Sequence, residues 1–439
     1  MRRDIGTFER VRELGATEYL LDTLEKQGGG HLVRVIDFEG PVDVQLLETA
    51  FRQLLARRPL LHVRIERSAG ARPVFVRDDA VSPEFSVVAR DGPDDWVREF
   101  DEQLNTPISL DDDAPVRVRV LASRDAGGEI IVSAAHSVCD GRSLFAFCRD
   151  LLDEYEALAS GEDASSAAVG TIPPPLEALF PEWLSGDQMQ AAIDDFVSRA
   201  AETADDPIVL FPLAHDAGAA RTSHVLSYSV PAAETSMIRR WAKQHGTSVT
   251  GAVAAAEMQA LAELSGPPVD HSIVLAVTID LRPHLRMAVP LASMGAYPGN
   301  VLTRHANVGS LDTWALARDV TTGVAAKLDA AAHLVMAALG ERFVDQFVTV
   351  DRPIGSLSVA NLGPMDLSLR DSVLCPRSIR GGAPLHAVKH PAVYSQVVTT
   401  SGVLWLTFIY VAPLLAPEVA RDYGASVVDR LVSLARRPT

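Results

Sequence analysis

Cysteine is scarce. Cys139, Cys148 and Cys375 are the three in 439 residues, too few and too scattered for a disulfide framework or a structural zinc site, and they read as reduced thiols of a cytoplasmic protein. An export signal is not expected. Met1-Arg2-Arg3 meets Asp4 and Glu9 before any apolar run can form, whereas a secretory signal needs a continuous stretch of about 7–15 apolar residues. No membrane span is expected either, because the longest greasy stretch, Val403 to Leu415, carries Thr407 and Pro413 and falls short of the ~20 residues that cross a bilayer. It reads as a buried strand. Positive charge is also short: 40 Lys and Arg against 57 Asp and Glu leave a formal charge of −17. Such a chain repels polyanions at long range, which argues against a nucleic-acid partner while leaving room for a local basic pocket for one phosphate group. Finally, there is no G-x-x-x-x-G-K-[ST] loop, no G-x-G-x-x-G after a strand, no G-x-S-x-G elbow and no H-E-x-x-H. Kinases, Rossmann dehydrogenases, elbow-type serine hydrolases and zinc proteases are therefore disfavoured.

What is present is an ordinary globular composition, 47% hydrophobic and 22% charged, in a chain longer than the roughly 250–300 residues at which single cores stop growing. At least two domains are expected. His31 to Phe38 reads as a strand ending at Gly40-Pro41, and Asp43 stands at an N-cap ahead of Leu46, Leu47, Ala50, Phe51, Leu54 and Leu55 at helical spacing. Leu61 to Glu66 and Pro73 to Arg77 look like a hairpin pair, Val116 to Val120 like a half-buried strand, Glu129 to Ala135 like a more buried one, and Leu144 to Leu158 like an amphipathic helix. From Ala159 to Pro175 the apolar period gives way to Gly, Ser, acidic residues and Pro173-Pro174-Pro175, a linker that divides the chain into 1–170 and 171–439. In the second part helices are expected over Gly186–Ala201, Glu234–His245, Thr247–Leu264, Leu311–Leu328 with Ser310 as N-cap, and Pro417–Leu434. Strands are expected at Ser223–Val230, Ile273–Ile279, Val301–His305, Ser356–Val359, Val393–Thr400 and Val403–Val411. Strands and helices mixed in both parts give the class α/β (α+β), with two layered domains and a ligand site expected in the cleft between them.

The informative segment is Ile130-Ile131-Val132-Ser133-Ala134-Ala135-His136-Ser137-Val138-Cys139-Asp140-Gly141-Arg142-Ser143. A buried strand stops at a histidine, a short loop follows, and Asp-Gly leads into a helix. That junction places His136 at the open end of a sheet, where an imidazole of ordinary pKa near 6.5 can act as a general base. Asp140 is placed to cap the helix or to pair with a cation, and Gly141 would let the backbone turn and approach a substrate. The same spacing also fits a core histidine followed by a routine N-cap.

Ala135 to Gly141 resembles the HHxxxDG motif of the superfamily of condensation domains and CoA-dependent acyltransferases, which includes nonribosomal peptide condensation domains and polyketide-associated acyltransferases. Further segments resemble it in order. Val42-Asp43-Val44 through Arg57-Arg58-Pro59-Leu60-Leu61 is similar to the family's early helix ending in R-H-P-x-L, with Arg58 in place of His. Asp280-Leu281-Arg282-Pro283 and Tyr297-Pro298-Gly299-Asn300 resemble its D-L-R segment and Y-x-G-N turn, and Ser358-Val359-Ala360-Asn361-Leu362-Gly363 its S-N-x-G segment. Two positions depart from the pattern: Ala135 replaces the first motif His, leaving H-x-x-x-D-G, and Ala360 replaces the Ser before Asn361.

The resemblance implies two chloramphenicol-acetyltransferase-like domains arranged as a V with a tunnel between them. It implies that His136 deprotonates an alcohol or amine acceptor attacking an acyl thioester, that Asp140 and Gly141 are structural, and that Asp140 pairs with Arg282. Asn300, Asn361 and Gly363 would line the tunnel. The donor would be an acyl-CoA or a phosphopantetheine-carrier thioester, with no bound cofactor and no metal. The expected function is an acyltransferase of secondary metabolism or lipid biosynthesis. A stand-alone condensation enzyme with a carrier-protein partner, and a silent module of the same fold that recruits partners, are its competitors. No enzyme nucleophile is required, and Cys139 beside Asp140 is a poor one, since an adjacent carboxylate disfavours the thiolate. His386 and His390 have H-x-x-x-H spacing but no evident third ligand. His215 and His284 read as surface or loop residues, and Gly28-Gly29-Gly30 as a flexible loop. Arg57, Arg58 and Arg380 read as solvated charge or as contacts for a donor's phosphate.

Overall fold

Asp43 starts the helix that the sequence places after it: its carboxylate accepts the backbone N–H groups of Gln45 and Leu46, each at 3.0 Å, and Leu47, Ala50, Phe51, Leu54 and Leu55 turn inward. This computed structural model describes residues 9–123, 127–161, 169–203, 205–213, 220–266, 271–345, 355–367, 374–387 and 392–436. The chain forms two compact units. The first comprises Met1–Phe180 with Leu285–Tyr297 and Leu367–Ile379; the second comprises Pro181–His284, Pro298–Asp366 and Arg380–Thr439. Residues 162–168 of the expected linker lie outside the described residues.

The first unit contains, in chain order, β1 (Glu9–Glu13), α1 (Ala16–Lys26), β2 (Leu32–Glu39), α2 (Val44–Ala56), β3 (Val63–Glu66), β4 (Val74–Arg77), β5 (Phe85–Ala89), α3 (Asp95–Leu104), β6 (Val116–Ala122), β7 (Gly128–Ala134) and α4 (Gly141–Ala159). The second contains α5 (Asp187–Glu202), β8 (Thr222–Val230), α6 (Ala232–Gln244), α7 (Val249–Ser265), β9 (Ile273–Asp280), β10 (Pro298–His305), α8 (Thr313–Asp329), α9 (Ala332–Ala338), α10 (Glu341–Phe343) and β11 (Leu357–Pro364). Then come β12 (Cys375–Gly382), which begins in the first unit, and β13 (Val393–Thr400), β14 (Val403–Ala412) and α11 (Pro417–Arg436).

Strands β1-β4-β3 form a small sheet that includes the expected hairpin, and β12-β2-β7-β6-β5 form a five-stranded sheet. In the latter β7 is central and buried along its whole length, whereas β6 alternates buried and half-buried residues. Helix α4 packs on α2, with the Phe51 and Phe147 rings edge to face at 6.3 Å. The second unit is built on the sheet β10-β9-β11-β13-β14-β8. Its core joins Leu275, Val277, Val359, Val397, Leu406 and Phe408 of the strands to the alanine-rich helix α7. Close packing there needs small residues. A Cβ on Gly251 would stand 2.4 Å from the Thr247 hydroxyl and 2.7 Å from the Ala317 carbonyl of α8, so the helices approach only because that atom is absent.

Two readings are corrected, and two elements are added to those expected. The N-cap of α8 is Asp312, which accepts the Ala315 N–H at 3.0 Å, not Ser310. Gly141 has no positive φ and is the first residue of α4, so the backbone there starts a helix rather than a glycine turn. Helix α1 and strand β12 went unseen because α1 buries Glu18, Asp22 and Glu25, and the run Cys375 to Gly382 has no apolar alternation.

One buried carboxyl makes the second unit's stability pH-dependent. Glu257 of α7 is 1% exposed, receives the Tyr423 hydroxyl at 3.2 Å, and is pushed by burial up to about 8. Between the ordinary carboxyl range near 4.5 and about 8 the folded state therefore binds more protons than the unfolded one, so this group's contribution to stability falls as pH rises through that window. Glu257→Gln keeps an oxygen for Tyr423 and cannot ionise. Its unfolding free energy relative to the wild type should rise with pH, changing little near pH 5 and gaining on the order of 1–3 kcal/mol towards pH 8, with the melting temperature following. A margin independent of pH between 5 and 8 in thermal melts would refute this assignment.

Candidate active site

Strand β7 pairs with β2 up to Ala134↔Leu32 and then leaves the ladder. The residues that follow need new hydrogen-bond acceptors, since their N–H groups are buried. The Ala135 N–H goes to Pro115 O at 2.9 Å. The N–H groups of His136 and Ser137 both go to Glu25 Oε1, the second at 3.2 Å, while the Ser137 hydroxyl lies 3.0 Å from Glu25 Oε2. Glu25, in the last turn of α1, is 1% exposed. Burial, opposed by these hydrogen bonds, raises its carboxyl to about 8.

Asp140 closes the loop. Its Oδ1 accepts the N–H groups of Arg142 at 2.9 Å and Ser143 at 2.8 Å, and the Ser143 hydroxyl accepts the Asp140 N–H at 2.9 Å. This reciprocal cap is the helix-starting role considered for Asp140. The other carboxylate oxygen accepts the Tyr297 N–H at 3.0 Å, tying the 285–297 segment of the same unit to the loop. Buried Arg34 of β2 donates through Nη2 to Gly141 O at 3.1 Å.

His136 Nδ1 lies 2.8 Å from Cys139 O. A carbonyl oxygen can only accept, so Nδ1 carries the hydrogen and the neutral ring keeps its lone pair on Nε2. Burial is the main cause lowering this imidazole below its ordinary value, and the Arg34 charge adds to it, against the opposing pull of the Cys139 carbonyl and Asp140. The ring is therefore neutral at neutral pH, with one nitrogen able to take up a proton. Cys139 is a buried thiol whose Sγ donates to Ala135 O at 3.2 Å. Its pKa is raised well above the ordinary thiol value, first by burial and then by Asp140 and Glu25, so a reactive thiolate is disfavoured.

The remaining expected residues gather at one end of the six-stranded sheet of the second unit. Asn300 opposes Thr278 across β10 and β9 and accepts the Thr278 hydroxyl at 3.1 Å. Asn361 follows Val359, which is level with Val277 of β9; it donates to the Thr250 hydroxyl at 3.0 Å and accepts the Gly363 N–H at 2.8 Å, where β11 shifts register. Arg282, 8% exposed just beyond β9, donates to Asp280 at 3.0 Å. The arginines considered for phosphate are engaged inside the fold: Arg57 with Glu154, Arg58 with Asp150, and Arg380 stacked 5.0 Å over Trp405. They are neither solvated charges nor open anion contacts, because each is mostly buried beside its partner. His386 Nδ1 meets the Ser223 hydroxyl at 3.1 Å, while His390 and His215 lie outside the described residues. His284 is half-buried and stands edge to face with the buried His333 at 4.3 Å rather than out in solvent. Glu25, Arg34 and the Tyr297 N–H were not singled out in the sequence; an acidic residue on the inward face of α1 was the available signal for the first.

Residues 19–288 match the Condensation domain family, and residues 220–407 match the family described as phthiocerol/phthiodiolone dimycocerosyl transferase C-terminus. The first match covers more than half of the chain, which therefore belongs to the condensation-domain family of acyl-transferring and condensing enzymes. A phthiocerol/phthiodiolone dimycocerosyl transferase of Mycobacterium leprae is 25% identical over 236 residues, 50% of this chain and 52% of that protein. A nonribosomal peptide synthetase of Penicillium brevicompactum is 27% identical over 164 residues, 36% of this chain and 7% of that protein. The chain thus matches about half the length of one curated relative and a small part of the other. A trichothecene 15-O-acetyltransferase from Fusarium sporotrichioides superposes with a TM-score of 0.75 at 14% identity, covering 97% of this chain and 95% of that one, a likeness of fold. Among the described residues no helix is long and apolar enough to cross a membrane.

The Asp140 geometry predicts a graded loss of stability. Asp140→Asn keeps an oxygen for the cap of α4 but turns an amide N–H₂ towards the Tyr297 N–H, which should cost about 1–3 kcal/mol for the buried donor left unmade. Asp140→Ala should lose about 1 kcal/mol more with the cap. Denaturant melts of the two variants check the order; an Asn variant as stable as wild type would show that the Tyr297 bond contributes nothing.

Proposed function

We propose that the protein transfers an acyl group from a thioester, carried on CoA or on the phosphopantetheine arm of a carrier protein, to a hydroxyl or amine acceptor, in natural-product or lipid biosynthesis within the cytoplasm. The observation that supports this most is the His136 ring, held through Nδ1 on Cys139 O with the Nε2 lone pair left to accept a proton, in a loop of the family's own motif. In this reading Nε2 takes the proton of the acceptor O–H or N–H as its oxygen or nitrogen attacks the thioester carbonyl carbon. The tetrahedral intermediate collapses with cleavage of the C–S bond, and the departing sulfur takes the proton back from Nε2. The products are an ester or amide and a free thiol; no acyl-enzyme, metal or resident cofactor is used. Asn300, Asn361 and Gly363 are assigned to the substrate path, and Asp140, Gly141 and Arg282 to the architecture of the site. The Condensation domain match supports carrier-bound substrates as an equal source of donor.

The test is intact-mass detection of transfer from acetyl-, hexanoyl- and dodecanoyl-CoA, and from the same acyl groups loaded on carrier proteins, to simple alcohols and amines. Turnover with carrier-bound donors alone would favour the condensation reading, and no turnover with any donor the silent module. A positioned base contributes about 10²–10⁴-fold, so His136→Ala should lower kcat by that range with an unchanged melt. Because the imidazole is lowered, the wild-type rate should hold through neutral pH and fall only below the ordinary histidine range, and the mutant should lose that limb. Cys139→Ala should keep most activity. A wild-type rate in His136→Ala, or an acyl adduct trapped on Cys139, would overturn the mechanism.

A further inference from the structure

We propose that Glu25 is a positioning residue for His136, acting through the hydrogen bonds that it accepts from the loop rather than through its charge. The inference rests on the reading of His136 as the base. Three observations carry it. A single buried side chain, 111 residues away in sequence, takes the N–H of His136 itself, together with the N–H of Ser137 at 3.2 Å and, on its second oxygen, the Ser137 hydroxyl at 3.0 Å. These are the groups that leave the β7 ladder, so without Glu25 two buried donors lose their acceptor and the peptide planes on either side of His136 are freed to turn. The ring hangs from that same backbone, so the 2.8 Å bond from its Nδ1 to Cys139 O depends on how the backbone is set.

The chain also builds a device to deliver Glu25. Helix α1 and its cap residue Gln27 are followed by Gly28-Gly29-Gly30, read from the sequence as a flexible loop, but here a defined reversal. Gly28 N–H bonds Glu25 O and Gly29 N–H bonds Leu24 O, each at 3.0 Å, and Gly28 and Gly30 hold φ of 90° and 89°. A Cβ on Gly30 would lie 3.0 Å from the Leu24 Cβ in a backbone region that side chains avoid. This tight return sends the chain into β2, whose Leu32 pairs with Ala134 at the end of β7. The last turn of α1 is thereby folded onto the start of the 135–139 loop, where Glu25 reaches it.

The position of the carboxyl, not its ionisation, does the holding. In the protonated acid, as in an amide, Oε1 still accepts the two N–H groups while the other terminal atom can donate to the Ser137 hydroxyl oxygen. Glu25→Gln and Glu25→Asp therefore separate the two roles: Gln keeps the reach and cannot ionise, and Asp keeps an ionisable carboxyl and retracts it by one methylene. With the best acyl-CoA of the panel above, Glu25→Asp should lower kcat by roughly 10–100-fold with little change in KM for that acyl-CoA, while Glu25→Gln rescues turnover to near the wild-type rate. In ¹⁵N-histidine spectra without substrate, the His136 signal, identified by its loss in His136→Ala, should report the Nδ1-protonated tautomer in wild type and Glu25→Gln. In Glu25→Asp it should show a mixture of tautomers. Glu25→Asp/His136→Ala should be no slower than His136→Ala alone. A Glu25→Asp variant with wild-type turnover and tautomer, or a Glu25→Gln variant as impaired as Glu25→Asp, would overturn the proposal. Wild-type turnover in His136→Ala would instead remove the base reading, and the tautomer spectra would still decide whether Glu25 sets the ring.

Discussion

A buried strand cannot simply stop. When β7 leaves the five-stranded sheet at Ala134, its chain continues through 0–4% exposed residues at Ala135, Ser137, Val138, Cys139 and Asp140, and each N–H there must find an acceptor that the ladder no longer supplies. The Ala135 N–H takes Pro115 O beside the strand, those of His136 and Ser137 take Glu25 from α1, and the loop and the start of α4 supply Ala135 O for Val138 and the Ser143 hydroxyl for Asp140. Each unmet donor would cost about 1–3 kcal/mol, so the set leaves the loop one conformation. The orientation and tautomer of His136 are consequences of that bookkeeping, since the Cys139 carbonyl that receives Nδ1 is itself placed by the turn.

Acidic groups do much of this work, and they are buried. On α1, Glu18, Asp22 and Glu25 lie on one inward face, held respectively by Arg12, by Arg67 and by the loop N–H groups. Two of them have cationic partners and the third has only neutral donors; burial pushes the Glu25 carboxyl up to about 8, and it raises Asp22 as well in spite of Arg67. Glu257 in the second unit shows the same physics with hydroxyl partners. A chain with an excess of acid thus places some of it where desolvation favours the neutral form, accepting lower stability for fixed geometry.

In the second unit the sheet itself sorts the polar residues. Because β11 runs parallel to β9 and β10 antiparallel to it, the end of β9, the start of β10 and the end of β11 coincide. Asn300, Asn361 and Arg282 are distant in sequence, yet they occupy that one end, each with a partner that holds it: Thr278, Thr250 and Asp280. The register shift at Asn361 to Gly363 breaks the ladder where these side chains stand.

The sequence by itself determined what depends on local period and local caps: α2 from Asp43 and its apolar stripe, the alternation of β6, the continuous burial of β7 and the Asp140 start of α4. It could not reveal α1 as a buried helix, because charges at Glu18, Asp22 and Glu25 read as a solvent face until their partners, at Arg12, Arg67 and residues 136–137, are seen beside them. Nor could it tell that Arg57 and Arg58 are internal ion pairs with Glu154 and Asp150, or that three consecutive glycines form a fixed reversal. Only the tertiary structure decided the partners of Asp22, Glu25, Arg57 and Arg58, since a hydrogen bond or ion pair between residues 45 to 112 positions apart leaves no local signature; what each partner shows in the chain is its polarity, and polarity alone does not say which way a side chain faces.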